Sequence, residues 1–235
     1  MFRVRVAYRQ EGPARYVAHL DVVRAFERAA RRAGLPLAYS SGFNPRPKLT
    51  FAAPLAVGMS GCREYVDVEL EKELVPAEVL DRFRKNLPGG LVPYRAQAVA
   101  KGPSLMSLVQ RSRYLAVGCS PEGLDRETVA AGLERFLARA EITVERRSAK
   151  GVRRKNIRPG IHSLAARLDG ERLCFAMELK AGSAGNVRPD EVMSALGGEL
   201  PLVPEEFALW RTALLAGDGR LLWDVKGDSE CLEKK

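Results

Sequence analysis

The sequence is poor in the residues that most catalytic and metal-binding motifs require. It has two histidines, His19 and His162, and four cysteines, Cys62, Cys119, Cys174 and Cys231, in 235 residues. Successive cysteines stand more than fifty residues apart, with no CxxC or CxxxCxxC pair. That spacing excludes a local zinc knuckle or iron–sulfur motif, so no metal and no cofactor are expected on this chain. Cys119 and Cys174 lie in the apolar runs YLAVGC and LCFAMEL, where a buried, inert thiol is expected. A P-loop, a GxGxxG and an HExxH are also missing. A Ser/His/Asp site assembled across distance stays open, because such triads leave no local spacing. No apolar run approaches the roughly 20 residues needed to span a bilayer. The N-terminus MFRVRVAYRQ alternates apolar with cationic residues, unlike a signal peptide, so a cytoplasmic protein is expected.

What is present is an ordinary hydrophobic content of 46% and a basic excess of +9. The first supports a packed core, as one large domain or two of about 110 residues each. The excess is concentrated. Residues 1–48 hold 10 Lys/Arg against 3 Asp/Glu, whereas 49–110 balance at 7 against 7. Residues 111–235 hold 21 against 19, yet Arg146 to Arg158 carries seven cations and no acid. Two basic zones on a balanced background point to a polyanionic partner, with solvated loops and a wet helix face as the plain alternative.

Periodicity gives the same order of elements twice. The first series predicts a strand at Phe2–Tyr8, a helix from Val17 to Ala33 ended by Gly34, and strands at Leu35–Ser40, Lys48–Pro54 and Glu64–Leu70. A helix at Pro76–Asn86 and a strand at Leu91–Val99 complete it. The second predicts a strand at Tyr114–Cys119, a helix at Arg126–Ala140 and a strand at Ile142–Arg146. A hairpin of His162–Leu168 and Arg172–Leu179 about Asp169-Gly170 follows, then a helix at Pro189–Leu196 and a strand at Phe207–Leu215. VDVEL precedes Pro76-Ala-Glu-Val-Leu80, and FAMEL precedes Pro189-Asp-Glu-Val-Met193. The expected fold is therefore α+β: two tandem ferredoxin-like β-α-β-β-α-β halves, residues 1–100 and 113–225, with helices packed on antiparallel sheets. Residues 101–112 read as a packed connector, Arg220–Val225 as a last hairpin strand, and the tail GDSECLEKK as frayed.

Three features carry candidate chemistry. In the first helix Val22, Val23, Phe26, Ala29, Ala30 and Ala33 fall on one arc, which leaves Arg24, Arg28 and Arg31 stacked on the other. Guanidinium groups in such a row suit phosphates. His19 and Asp21 stand at the start of that helix, where an imidazole could act as acid or base, or simply orient the loop while Asp21 caps the helix. The loop Tyr39-Ser-Ser-Gly-Phe-Asn-Pro-Arg-Pro-Lys48 is stiffened by two prolines and presents Phe43, Asn44, Arg46 and Lys48. Cations beside an aromatic on a rigid loop suit unpaired RNA bases; a stiff hairpin with buried aromatics is the alternative. His19 and this loop are expected to meet at one end of the first helix. Arg153, Arg154, Lys155 and Arg158 form the second basic candidate.

The runs Val17-Ala-His-Leu-Asp21, Arg24-Ala-Phe-Glu-Arg28, Arg31-Arg-Ala-Gly-Leu-Pro-Leu-Ala-Tyr-Ser40 and Gly42-Phe-Asn-Pro-Arg-Pro-Lys48 resemble the signature of the bacterial radical SAM-linked family, a domain of unknown function. Pro54-Leu-Ala-Val-Gly58, Glu64-Tyr-Val-Asp-Val-Glu-Leu70 and Gly185-Asn-Val-Arg-Pro-Asp-Glu-Val192 are similar to its later blocks. Asn156-Ile-Arg-Pro159 departs from it, with Asn where Asp is expected. The resemblance implies a protein encoded beside, or fused to, radical SAM enzymes and near genes of translation and RNA processing. It therefore implies a radical SAM enzyme as partner and RNA as a further one. The expected function is a non-catalytic RNA-binding or substrate-presenting partner in tRNA or rRNA modification. One alternative is a metal-independent endoribonuclease using His19, by fold-level analogy with CRISPR repeat-processing nucleases. Another is a protein–protein adaptor without RNA.

Overall fold

In a computed structural model the chain forms two compact units, Met1–Gln110 with Arg211–Lys235, and Arg111–Trp210. The structure describes residues 2–100, 102–148, 151–183 and 185–225. Cys231 and the rest of the GDSECLEKK tail lie outside the described residues. Both units are mixed α/β, with helices on mostly antiparallel sheet.

In the first unit, β1 (Phe2–Gln10) leads through a 3-10 turn (Gly12–Tyr16) into α1 (His19–Arg32). Then come β2 (Leu49–Phe51), β3 (Ser60–Leu70), α2 (Pro76–Asn86), β4 (Leu91–Ala98) and the single turn α3 (Leu105–Leu108). β1 lies between β4 and β3, antiparallel to both, and β2 pairs antiparallel with β3. The apolar arc of α1 (Val22, Phe26, Ala29, Ala30) packs on Val4, Val6, Val66 and Val68. Phe26 is its centre, with ring centroids 4.9 Å from Tyr8 and 5.4 Å from both Phe51 and Phe83. Beyond α1, Gly34 takes φ +61°, a left-handed conformation that glycine adopts without a Cβ penalty.

The other face of this sheet is buried as well. Asp67 on β3 accepts two hydrogen bonds from Arg5 on β1, at 2.8 and 3.1 Å. Arg5 also donates to the carbonyl of Leu222, and Gln97 to that of Trp223 at 2.8 Å. Residues expected as a last strand at Arg220–Val225 therefore form a roof instead. They make one isolated bridge, Leu215 to Leu221, and give main-chain carbonyls to the side chains of Arg5 and Gln97.

The expected strand at Leu35–Ser40 is also absent. Pro36 interrupts the donors, and only isolated bridges remain, Leu37 to Leu70 and Tyr39 to Pro47.

The second unit runs β5 (Arg111–Cys119), α4 (Arg126–Ala138), β6 (Thr143–Ser148), β7 (Gly151–Asn156), β8 (Ile161–Asp169), β9 (Arg172–Lys180) and α5 (Pro189–Leu196). β10 (Ala208–Leu215) follows, and its residues from Arg211 onward count with the first unit. Residues 211–225 thus count with the first unit. β9 lies between β5 and β8, antiparallel to both. Asp125 caps α4 by accepting from Thr128 N at 2.7 Å. The β8–β9 turn places Gly170 at φ +59°. β6 and β7 form a separate two-stranded ribbon, of which the sequence reading found only the first strand. Cys119 is exposed rather than buried, and Cys174 is partly buried. No helix among the described residues is long and apolar enough to cross a membrane.

Candidate nucleic-acid interface

The outer side of α1 is cationic as its periodicity requires. Arg24, Arg28 and Arg31 are all exposed. Arg24 pairs with Asp21 at 2.9 Å, and Arg28 leans back on the Arg24 carbonyl at 3.3 Å. Arg31 and Arg32 end the helix, where positive charge complements the dipole. Arg32 is further occupied by the Asn86 carbonyl.

The loop between α1 and β2 closes on itself. Ser40 N donates to the Arg46 carbonyl at 2.9 Å, Arg46 N donates to Ser40 Oγ at 3.0 Å, and Lys48 N donates to the Ala38 carbonyl at 2.8 Å. Gly42 takes φ +127°, which turns the chain outward at the tip. Pro47 is buried beneath, while Phe43, Asn44 and Arg46 are exposed and Tyr39 is 41% exposed. Phe43 is as open as it would be in an extended chain, so its ring anchors nothing. Lys48 reaches Glu69 at 3.8 Å.

His19 is not part of this loop. Its ring stands edge-on to Phe51, centroids 5.5 Å apart, and Phe51 pairs with Val66 on β3. The loop leaves the sheet where Ala38 N donates to the Glu69 carbonyl and Leu37 bridges Leu70. Val66 to Leu70 is four steps, about 13 Å along the strand, and the loop extends away from there. His19 and the base of the loop are thus tied to different points along β3, Val66 and Glu69 to Leu70.

What surrounds His19 is a buried ion pair that no sequence spacing announced. Arg211 donates to both carboxylate oxygens of Glu64, at 2.9 and 2.5 Å, and to the carbonyls of Pro54 and Ala53. Their side chains are 5% and 2% exposed. Partial burial, and then the Arg211 charge, lower the His19 pKa, with Glu64 opposing, which favours the neutral imidazole. Burial, and then Glu64, hold the Tyr8 hydroxyl well above its usual range. Tyr16, Leu20 and Val57 are exposed apolar residues that the sequence reading did not single out.

The second basic zone divides by role. Arg158 donates to the Leu137 carbonyl at 3.0 Å, so it ties loop to helix. Arg146 forms a bidentate pair with Glu191, and Lys155 donates to the Asn186 carbonyl at 2.8 Å. Arg153 and Arg154 are exposed, with Arg154 3.4 Å from Glu145. Asn156 Oδ1 accepts from Ile142 N at 3.1 Å and Arg158 N at 3.0 Å. An amide oxygen fills that acceptor role without a charge. Among the described residues no group of three or more His, Cys, Asp or Glu could hold a metal ion.

Comparison with solved structures gives a likeness of fold. A crystal structure of a Cbf5-Nop10-Gar1 complex matches at TM-score 0.51 and 14% identity, over 91% of this chain and 49% of that one. An H/ACA RNP bound to a substrate RNA containing 2'-deoxyuridine matches at TM-score 0.49 and 14% identity, over 93% and 49%. The chain thus spans about half the length of these structures. No curated protein matches the sequence. Residues 3–189 match a family described as an uncharacterized protein conserved in bacteria, DUF2344, and the chain belongs to that family.

Proposed function

We propose that this protein is a non-catalytic RNA-binding partner that presents structured tRNA or rRNA to a radical SAM enzyme in the cytoplasm. The observation that carries the RNA part is Phe43. A fully exposed phenyl ring on a loop held shut by its own hydrogen bonds and two prolines serves no packing purpose. The same loop carries Arg46 and Tyr39, both exposed. Such a tip can stack an unpaired base, and stacking on an aromatic contributes about 1–3 kcal/mol per base. The arginine row of α1 would add phosphate contacts, which give affinity without sequence preference. The radical SAM enzyme enters through the resemblance of the Val17–Asp21 and Gly42–Lys48 blocks.

The direct test titrates a fluorescent RNA hairpin with the purified protein at low salt. Binding that weakens steeply with salt, and about 5- to 150-fold in Phe43→Ala, is expected. Undetectable binding at low salt, with co-purification of a radical SAM enzyme intact, would leave an adaptor without RNA.

The fold reading that accompanies this proposal is two ferredoxin-like halves. It is supported by the β4-β1-β3 order with β2 on β3, and by β5-β9-β8 in a chain order that repeats the first. An experimental structure with α4 and α5 on opposite faces of their sheet would refute it.

The neutral, half-buried His19 favours a second reading, a metal-independent endoribonuclease. Incubating labelled RNA with the protein in EDTA decides it. Cleavage lost in His19→Ala supports the nuclease, and intact RNA removes it.

A further inference from the structure

Around Asn186 in the second unit, cations gather with too few acids to balance them. Arg146 and Lys155 both donate to the same carbonyl, that of Asn186, at 2.7 and 2.8 Å. Lys180 approaches from the neighbouring residue, where a Cβ on Gly185 would stand 3.7 Å from its Nζ. Gly185 has φ +136°, and the Lys180 side chain lies across it, with Cε 3.4 Å from where a Cβ would stand. Glu191 takes up Arg146 and also accepts from the Arg188 main-chain N at 3.1 Å. Arg188 also acts on this cluster, and crowding is visible on Lys155: partial burial, and then the Arg146 charge, lower its pKa.

The ribbon that supplies Arg146 and Lys155 is itself strained by charge. β6 and β7 belong to no larger sheet, and an isolated two-stranded ribbon is marginal in water. Arg146 and Arg153 stand directly opposite one another, a like-charge pair that destabilises a ladder. The pins to Glu191 and Asn186 hold Arg146 and Lys155, while Arg153, level with Arg146, remains exposed. A polyanion would relieve all of this at once.

We infer that the cations converging on Asn186 form a phosphate-binding site for the backbone of an RNA helix. The inference rests on the RNA reading above and deepens it. Between Thr143 and Asn156 there is no aromatic residue, so nothing there can stack an unpaired base. Contact is then limited to phosphates, which a duplex presents from two strands at high density. A duplex stretch of a structured RNA is the partner of matching chemistry for this site.

The test uses the full chain and two RNAs, a blunt duplex of about 16 base pairs and a hairpin with unpaired bases. Anisotropy titrations between about 50 and 200 mM salt compare wild type, Lys155→Gln/Lys180→Gln, Arg153→Gln and Phe43→Ala. The double variant should weaken duplex binding several-fold and lower the salt slope by about one unit per removed contact. Arg153→Gln, an exposed change that leaves the fold intact, should lower it by about one unit alone. Phe43→Ala should affect the hairpin but not the duplex. Hairpin binding that depends on Phe43, with duplex slopes unchanged in both charge variants, overturns this site and leaves the RNA reading standing. Duplex binding that depends on Lys155 and Lys180, with Phe43 irrelevant to either RNA, supports the site and removes the base-stacking loop. Equal affinity for a B-form DNA duplex overturns the assignment to RNA, and no binding of either RNA by wild type overturns both.

Discussion

Replacing Glu64 by Gln should unfold the first unit far more easily than its small change in shape suggests. Glu64 and Arg211 are 2% and 4% exposed, so neither charge can recover hydration in the folded state. The guanidinium donates twice to Glu64 and once each to the carbonyls of Pro54 and Ala53. Glutamine keeps the volume and one acceptor but removes the charge and the second acceptor. Breaking one side of a buried ion pair costs about 3–5 kcal/mol. The two carbonyls remain in place, which puts Glu64→Gln near the lower end, about 3 kcal/mol. For a chain of this length that corresponds to a fall in Tm of roughly 6–12 °C. Urea unfolding followed by circular dichroism and tryptophan fluorescence measures the loss. Arg211→Met in the same background removes the stranded cation, so the double variant should be more stable than Glu64→Gln alone. A loss under about 1 kcal/mol, or a double variant whose loss equals the sum of the two single losses, would refute the reasoning.

Three further outcomes follow from the same geometry. His19 should titrate below 6.5 by NMR, and Arg211→Met should raise its pKa by removing a neighbouring cation. Because the folded state binds this proton less readily than the unfolded one, the His19 contribution favours folding at pH 7 and is lost as pH falls below 6.5. His19→Gln should flatten that part of the stability profile, and an unchanged profile would contradict the assignment. Gly90→Ala should cost about 1–3 kcal/mol in a thermal melt, since φ is +86° and the new Cβ would stand 2.6 Å from the Glu11 carbonyl oxygen; a change within a few tenths would be inconsistent with that contact. Arg5→Met should destabilise by about 3–5 kcal/mol, because Asp67 would be left buried and unpaired.

Elements with local signals were legible in the sequence. α2 matches its expected bounds because Pro76 starts it and Pro88 follows it. The β8–β9 hairpin follows from Asp169-Gly170, and the polar side of α1 from the spacing of Val22, Phe26 and Ala29. Of the β6–β7 ribbon only the first strand was legible, because RRSAKGVRRK is charged on both faces and shows no period of two. The roof at Leu222 and Trp223 escaped for a different reason. GRLLWDV reads like a strand, and the side chains that take its Leu222 and Trp223 carbonyls, Arg5 and Gln97, stand 217 and 126 residues away. The candidate residues of α1 and the loop were legible singly. Their grouping was not, because it depended on where the chain returns after Gly34. The Glu64–Arg211 pair spans 147 residues and left no pattern to find.

The RNA reading is tested most directly at one ring. A 2-aminopurine placed in the loop of an RNA hairpin changes fluorescence when it leaves its neighbours and stacks on a protein aromatic. On binding wild-type protein the signal should change in proportion to complex formed, and Phe43→Ala should abolish that change while leaving the melting temperature unaltered. The same fluorescence change in Phe43→Ala would contradict the account.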